Sequence, residues 1–383
     1  MLFPEINLKK IQKLCETSHP YLMKENGDEE FLLAMKENLY WHSERSDFFK
    51  KFLQEKKVIV ENIKSIDEIP FIIATYFKWH ELRSIHDDEV FLHLTSSGTT
   101  GQKSQMYFDE WTIKSAQRMV DDIFNYYGWN TPAIRVNYLL YTYAPTEGAK
   151  LGTAYTDNFL CKYAAANDVS YALKYLGSEG HRFEVSNVIE TILKYSSEGL
   201  PLRIFGFPAF FYFTLQKMQK LKIAPVKLHQ DSLVFLGGGW KGHQEKMIEK
   251  KDLYKLANEL LGIPMERLRD GFGSVEHCVP YIECAKHQFH VPVWSRVLIR
   301  DVKTLEVLPE GEVGYLQFLS PYITSAPASS ILMTDLAKLY QTKKCGCGLD
   351  AAYFEIVGRA GVSQNKSCAV AASDLLKDFK GRS

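Results

Sequence analysis

The sequence predicts an α/β protein with mixed sheets and helices, and three observations carry that reading. Between residues 90 and 290, short runs rich in β-branched and aromatic residues alternate with amphipathic stretches, as expected for strands covered by helices. Before them, the first ninety residues place apolar side chains at helical spacing, through Phe31, Leu32, Met35 and Leu39 and again through Phe48, Phe49 and Phe52. After them, from Val291, short strands follow one another with hairpin signals between. The expected division is a helical N-terminal segment packed on the core (1–90), a core (90–357) whose part 291–357 is β-rich, and a short C-terminal tail (358–383).

Each element has its own signal. Val90 to Leu94 is a short apolar run that ends in TSSGTTGQKS. A long amphipathic helix is expected from Glu110 to about Tyr127, stopped by Gly128. VNYLLYTYA (136–144) reads as a strand, followed by a loop to Gly152 and a helix from about Tyr155. RIFGF reads as a strand, then a helix runs to Lys222, then come the strand DSLVFL, the turn GGGWKG, a charged helix to Leu261 and DGFGSVEH. Beyond Val291 the turns at Lys303-Thr304 and Glu310-Gly311 separate strands. A Ser/Ala/Pro loop (320–330) precedes ILMTDLAKLY, CGCG and FEIVGRAG, and the last fifteen residues read as one short helix.

Composition narrows the function. The chain balances 46 Lys+Arg against 46 Asp+Glu, which counts against a nucleic-acid binder, since phosphate neutralisation calls for a basic excess. Its 23 Phe, 21 Tyr and 6 Trp supply ample apolar surface for a core. Seven cysteines and no signal-peptide pattern at MLFPEINLKKIQ point to a reduced, cytoplasmic setting. The most apolar stretch, Leu202 to Leu215, contains Arg203, Gly206 and Pro208 and is too short to span a bilayer.

Three glycine-rich loops are candidates for chemistry. Thr95 to Ser104 combines Ser97, Gly98, Thr99, Thr100, Gly101 and Lys103, so that backbone amides, hydroxyls and one cation can meet a phosphate. It is not a Walker A loop, because Ser97 and Gln102 stand where that pattern needs Gly. Gly237-Gly238-Gly239-Trp240-Lys241-Gly242 formally satisfies G-x-G-x-x-G, which leaves a nicotinamide-dependent reductase as an outside reading, with Asp252 or Glu259 for a ribose. Gly271 to His277 is not a nucleophile elbow, since Phe272 and Glu276 occupy its glycine positions. Its Glu276 is a hard oxygen ligand that could hold Mg²⁺ or stand as a solvated loop carboxylate.

In this order the loops resemble the adenylate-forming superfamily of acyl-CoA synthetases and their relatives. Thr95–Lys103 is similar to that family's phosphate loop, with an extra Ser. Phe272-Gly273-Ser274-Val275-Glu276 is similar to its aromatic-Gly-x-Thr-Glu motif, with Val where Thr is usual. Gly237, Gly238 and Gly239 match the glycines beside adenine, Met333-Thr334-Asp335 resembles the Thr-Gly-Asp whose Asp binds ribose, and Gly358-Arg359 matches the hinge Gly-Arg. Gly311 to Leu316 fits the G-E-x-G-x-L turn. The resemblance spans about residues 90–360. It implies ATP and Mg²⁺ as cofactors, with Glu276 holding the metal and with Lys103 and Arg359 catalytic. It also gives adenine, rather than a dinucleotide, to GGGWKG.

The family usually continues for about a hundred residues past Gly-Arg with a catalytic lysine, whereas 24 residues follow Arg359 here. That ending, with SSGTTGQKS, GGGWK and NKSCAVAASDLLKDF, resembles one member group, the acyl-protein synthetases of bacterial bioluminescence. The resemblance implies activation of a long-chain fatty acid to acyl-AMP, capture by Cys368, and transfer to the reductase subunit of a fatty-acid reductase complex that also has an acyl-transferase (thioesterase) subunit. Which residue stands in for the missing lysine is open; Lys366 is a candidate. An acyl-CoA ligase of the same superfamily, with coenzyme A as acceptor, is the alternative.

Three residue-level readings accompany this. Cys368 opens an apparent short helix, with Lys366 just before it; both features would lower a thiol pKa, although a buried C-terminal cysteine fits the residues equally. Ile204 to Phe211 resembles the turn beside an acyl site, or is plain core. Cys284-x-x-His287-x-x-His290 and Cys345-x-Cys347 offer five ligands of which four would suffice for structural Zn²⁺. Cys284, His290, Cys345 and Cys347 are the set chosen, against metal-free loop cysteines as the competing reading.

Overall fold

The computed structural model describes residues 8–95, 104–145, 159–341 and 344–359. Helices α1 (Lys9–Cys15), α2 (Gly27–Arg45), α3 (Asp47–Glu55) and α4 (Tyr76–Trp79) open the chain. The expectation of an all-helical start is corrected here: β1 (Ile72–Ile73) runs parallel to a strand 259 residues later, pairing Ile72 with Ile331. The hairpin β2 (Leu92–Thr95) and β3 (Gln105–Phe108) follows, and its last pair is Thr95 with Gln105. The loop 96–103 joins these two ends and lies outside the described residues.

Helix α5 (Glu110–Tyr126) is capped by Asp109, whose carboxylate accepts from the Thr112 amide at 2.7 Å. Gly128, with φ of 69°, follows its end. Strand β4 (Thr131–Tyr143) is longer than the expected 136–144. Of the helix expected from about Tyr155, Phe159 and Leu160 are described and helical, and β5 (Ala164–Tyr175), twelve residues paired parallel to β4, follows. Its alanines and lysine favour a helix in isolation, but pairing along β4 overrides that preference.

The order continues with β6 (His181–Phe183), α6 (Val185–Glu198), β7 (Leu202–Gly206), α7 (Pro208–Lys220), β8 (Leu233–Gly237), α8 (Lys250–Leu261), β9 (Leu268–Phe272) and β10 (Tyr281–Ile282). Strands β4 to β10 form one seven-stranded sheet of order β10-β9-β8-β7-β4-β5-β6, parallel in its centre and antiparallel at both edges. Both faces are covered, as parallel sheets require. Leu139 and Tyr141 of β4, Ile204 of β7 and Val234 of β8 pack under α6, α7 and α8. The alternate residues Tyr138, Leu140, Phe205 and Leu233 face the other core with Ile123 and Phe124 of α5.

The β-rich part supplies β11 (Phe289–His290), β12 (Arg296–Arg300), β13 (Gly314–Leu319), β14 (Ser330–Tyr340) and β15 (Tyr353–Arg359). With β1 they form a six-stranded sheet of order β11-β15-β14-β13-β12, β1 lying against β14. The Ser/Ala/Pro loop ahead of β14 is buried, with Tyr322, Ile323, Thr324 and Ala328 all shut from solvent. Buried backbone needs partners, and α2 provides them. Asn38 donates to the carbonyls of Pro321 and Ile323, each at 2.8 Å, and the Trp41 indole donates to that of Thr324 at 2.8 Å. Bonds of this kind contribute about 1 kcal/mol each and would cost more if left unmade. The N-terminal helices thereby fix the entrance to β14.

Candidate active site

Topology places the first half of the site. From β4 the chain moves outward to β5, then returns to the other side of β4 with β7, which makes the β4/β7 boundary a switch point. Open α/β sheets bind ligands at the carboxyl ends of their strands beside such a point. The turn after β7 is tight. Gly206 has φ of 117°, and a Cβ on it would lie 2.5 Å from the Tyr141 carbonyl oxygen. Phe207 follows it, buried against Tyr143 at 5.5 Å and under the Lys241 ammonium at 4.4 Å. Phe210 packs on Phe183 at 4.9 Å and on His243 at 5.7 Å. This aromatic group is both core and the wall of the β7–α7 turn.

The other two described glycine loops leave adjacent strands at the same edge. Gly237 ends β8 directly beside Gly271 of β9, and Gly238 and Gly239 take φ of 75° and 72°. Phe272 closes β9, pairs with Tyr281 of β10, and sets its ring about 6 Å from Phe289, Phe318 and Phe354 of the second sheet. Phe272 thus marks the seam between the sheets, and Gly273 starts the turn that presents Glu276 there.

Glu276 is 6% exposed. Behind it His277 is fully buried in the core: its Nε2 lies 2.9 Å from the Tyr281 hydroxyl and its ring stacks on Phe318 at 4.7 Å. Burial pushes its imidazole down to about 3, so it is neutral. The Tyr322 hydroxyl donates to the His277 carbonyl at 3.1 Å, tying the Glu276 turn to the buried loop ahead of β14.

Strands β14 and β15 bring the remaining two residues to this seam. Asp335 and Arg359 are direct cross-strand partners, with Arg359 Nε 3.9 Å from Asp335 Oδ1 and 3.4 Å from Thr334 Oγ1. Burial pushes the Asp335 carboxyl up; the Arg359 guanidinium pulls it back, and the negative charge of Glu276 adds to the rise. Glu276, Asp335 and Arg359, 83 residues apart in sequence, therefore share one electrostatic neighbourhood. Glu276, 6% exposed, offers hard carboxylate oxygens of the kind Mg²⁺ prefers.

Sequence reasoning missed the ionic group beneath the turn. Lys250 of α8 donates to Glu283 at 2.6 Å and lies 2.9 Å from Asp270, while the Tyr254 hydroxyl and the Asp270 amide donate to Glu283, each at 2.8 Å. Burial pushes the Asp270 carboxyl up. For Glu283, burial acts in the same sense, but His287 and Lys250 outweigh it and hold the carboxyl low. The network anchors β9 immediately before Gly271. Nothing in the spacing of Lys250, Asp270 and Glu283 announces it.

The loop residues Ser97, Gly98, Thr99, Thr100, Gly101 and Lys103, and the tail with Lys366 and Cys368, lie outside the described residues. Asp252 and Glu259, the ribose candidates of the dinucleotide reading, sit on α8.

Comparison with known proteins decides the family. The family described as acyl-protein synthetase, LuxE, matches residues 6–377. The chain belongs to the acyl-protein synthetase family. It is therefore a ligase with an adenylate-forming fold. This synthetase is 23% identical over 346 residues to the long-chain-fatty-acid–luciferin-component ligase of Aliivibrio fischeri, covering 90% of this chain and 88% of that one. It is 25% identical over 336 residues to the protein of the same name from Vibrio harveyi, covering 87% and 84%. Among solved structures, 2-hydroxyisobutyryl-CoA ligase, crystallised open with 2-HIB-AMP and CoA, matches with a TM-score of 0.66 at 12% identity, over 94% of this chain and 75% of that one. That likeness establishes the fold. No helix among the described residues is long and apolar enough to cross a membrane.

Proposed function

We propose that this synthetase uses ATP to activate a long-chain fatty acid, holds the acyl group as a thioester on Cys368, and passes it to an acyl-protein reductase for aldehyde production in bioluminescence. The reaction belongs in the cytoplasm, within a fatty-acid reductase complex that also contains an acyl-transferase subunit. The observation that carries the reading is the pairing of Asp335 with Arg359 within electrostatic reach of the nearly buried Glu276, in a chain of this family. The names of the Aliivibrio fischeri and Vibrio harveyi relatives supply the substrate class.

A carboxylate is a poor electrophile because its leaving group would be oxide. Attack by the carboxylate oxygen on the α-phosphorus of ATP expels pyrophosphate and gives a mixed anhydride; a thiolate then attacks its carbonyl carbon and expels AMP. In the first half, Glu276 holds Mg²⁺, which when bound neutralises phosphate charge. Asp335 takes the ribose hydroxyls, Gly237 to Gly239 and Phe272 border adenine, and the loop Ser97 to Lys103 meets the phosphates. Arg359, at the end of β15 and paired with Asp335, leads directly into the tail that carries the acceptor. The tail has to bring Cys368 to the carbonyl after pyrophosphate leaves, because thiol and phosphates cannot share that space.

The test is incubation with ATP, Mg²⁺ and labelled fatty acid, followed by mass spectrometry of the intact protein. Wild type should gain one acyl group that hydroxylamine removes. Cys368→Ser should still form acyl-AMP but take up no label, since a serine hydroxyl at neutral pH has almost no alkoxide. Label retained in Cys368→Ser would defeat the assignment of the acceptor. Acyl transfer to added coenzyme A with no protein label would replace the reading with an acyl-CoA ligase.

A further inference from the structure

At the end of the sheet seam nearest β10, three cysteines and one histidine converge. The ligand atoms of Cys284, His290, Cys345 and Cys347 all lie within 4.8 Å of one another. Two of the contacts are closer still: Cys284 Sγ to Cys345 Sγ is 3.5 Å, and Cys347 Sγ to His290 Nε2 is 3.3 Å. We propose that these four residues bind one zinc ion in a closed, tetrahedral Cys₃His site that is structural and separate from the adenylation chemistry.

Distances support a tetrahedron. Zinc bonds of about 2.3 Å to sulfur and about 2.0–2.1 Å to nitrogen imply edges of roughly 3.8 Å between sulfurs and roughly 3.5 Å between sulfur and nitrogen. The Cys284–Cys345 and Cys347–His290 edges fall within a few tenths of an ångström of those values, and every other separation is within 4.8 Å.

The surroundings prepare each ligand. His290 Nδ1 lies 3.0 Å from the Ala351 carbonyl, so that nitrogen carries the proton and Nε2 presents its lone pair to the cluster. Metal-bound histidines are oriented in this way, by donating the second ring N–H to a carbonyl or carboxylate. Two sulfurs accept from the amide two residues on: Lys286 N to Cys284 Sγ at 3.3 Å and Leu349 N to Cys347 Sγ at 3.4 Å. Backbone donors of this kind stabilise thiolate charge. Gly346 and Gly348 take φ of 73° and 93°, the left-handed turns that let Cys345 and Cys347, two residues apart, face one point.

His287, the fifth ligand the sequence offered, is turned away. Its Nδ1 lies 3.7 Å from Glu283, and its ring packs on Tyr254 at 4.8 Å. His290 belongs to β11, which pairs with β15, and this pairing sets it opposite Tyr353, just beyond the CGCG turn. Position in the sheet, rather than spacing in the chain, selects the ligand.

The site joins the two sheets. Cys284 follows β10 of the seven-stranded sheet, His290 ends β11 of the six-stranded one, and Cys345 and Cys347 lie in the β14–β15 connection. Tyr21 covers it, buried and 6.2 Å from the His290 ring. Bound metal would hold the seam that also carries Glu276, Asp335 and Arg359.

The experiment measures metal in protein purified without chelator, by elemental mass spectrometry, together with the thermal midpoint. Native protein should contain one zinc per chain, and a strong chelator should remove it and lower the midpoint, with zinc restoring both. Cys345→Ser should bind well below one equivalent. Should that variant fail to fold, wild type expressed in cobalt medium should show the intense visible bands and thiolate charge transfer of tetrahedral cobalt bound to cysteines. Metal-free protein with an unchanged midpoint would overturn the proposal. A Cys284–Cys345 disulfide, seen as a chain lighter by two hydrogens, would do the same, as would one zinc retained in both Cys345→Ser and Cys284→Ser.

Discussion

Replacing His277 by phenylalanine should flatten the acid side of the stability profile by a calculable amount. The imidazole is buried among Tyr281, Ser295 and Phe318, and its Nδ1 has no hydrogen-bond partner among the described residues. Its pKa falls from 6.5 to about 3, because burial penalises the charged ring. The folded protein therefore keeps it neutral where the unfolded chain takes up a proton. The stability from this group is complete above 6.5 and is lost as pH drops from there toward 3. At pH 5 the unfolded state gains a factor of about 30 from protonation, which is about 2 kcal/mol; at pH 7.5 the gain is under about 0.1 kcal/mol. Phe keeps a ring for the Phe318 stack, and the Tyr281 hydroxyl retains Ser295 at 2.5 Å. Denaturant titrations of both proteins at pH 7.5 and 5 give the difference. Whatever the substitution costs at pH 7.5, that cost should shrink by about 2 kcal/mol at pH 5. Carboxyls held above their usual range, such as Asp122 at about 6, act in the opposite sense, but they are common to both proteins and cancel. An equal cost at the two pH values would refute the reasoning, as would a His277 resonance titrating near 6.5 in the native protein.

Two further outcomes follow from the site. Glu276→Ala and Lys103→Ala should each reduce acyl-AMP formation by at least about a hundredfold, the loss expected when a transition-state charge stabiliser is removed; Asp335→Ala should mainly raise the ATP concentration needed, and pyrophosphate release measured across ATP concentrations separates these effects. Gly206→Ala should cost stability and activation together, because its Cβ would lie 2.5 Å from the Tyr141 carbonyl oxygen and the backbone of β4 or β7 would have to move; an unchanged thermal midpoint and unchanged turnover would show that the β7–α7 turn is more yielding than its packing implies.

The sequence made some of this legible and hid the rest for physical reasons. Motif residues were readable because each carries its own chemistry: a glycine turn ending in Glu276, a strand bearing Asp335, a strand closing on Arg359. Their convergence was not, since it depends on β9 and β14 lying in different sheets that meet at Phe272. Strand β5 carries no such signal. AAANDVSYALKY has local helix preference, and only the neighbouring β4, 33 residues earlier at the paired start Thr131 and Ala164, makes it a strand. The Ser/Ala/Pro composition of the loop 320–330 does not announce its burial. It is buried because Asn38 and Trp41, nearly three hundred residues earlier, satisfy its carbonyls.

The same long-range dependence gives the N-terminal helices a part in the chemistry that their sequence does not reveal. Helix α2 holds the carbonyls of Pro321, Ile323 and Thr324, and Tyr322 within that stretch donates to the carbonyl of His277, next to Glu276. From there the chain enters β14, which β1 flanks in parallel, and within six residues reaches Asp335. Both carboxylates of the candidate site are thus placed through one buried loop, and that loop is ordered by side chains from the first fifty residues. Interactions of about 1 kcal/mol each suffice for this, because the loop's carbonyls would otherwise be buried without partners. The N-terminal segment acts as the support against which Glu276 and Asp335 are set, and its removal should abolish acyl-AMP formation, measured as pyrophosphate release, even though it contributes none of the motif residues.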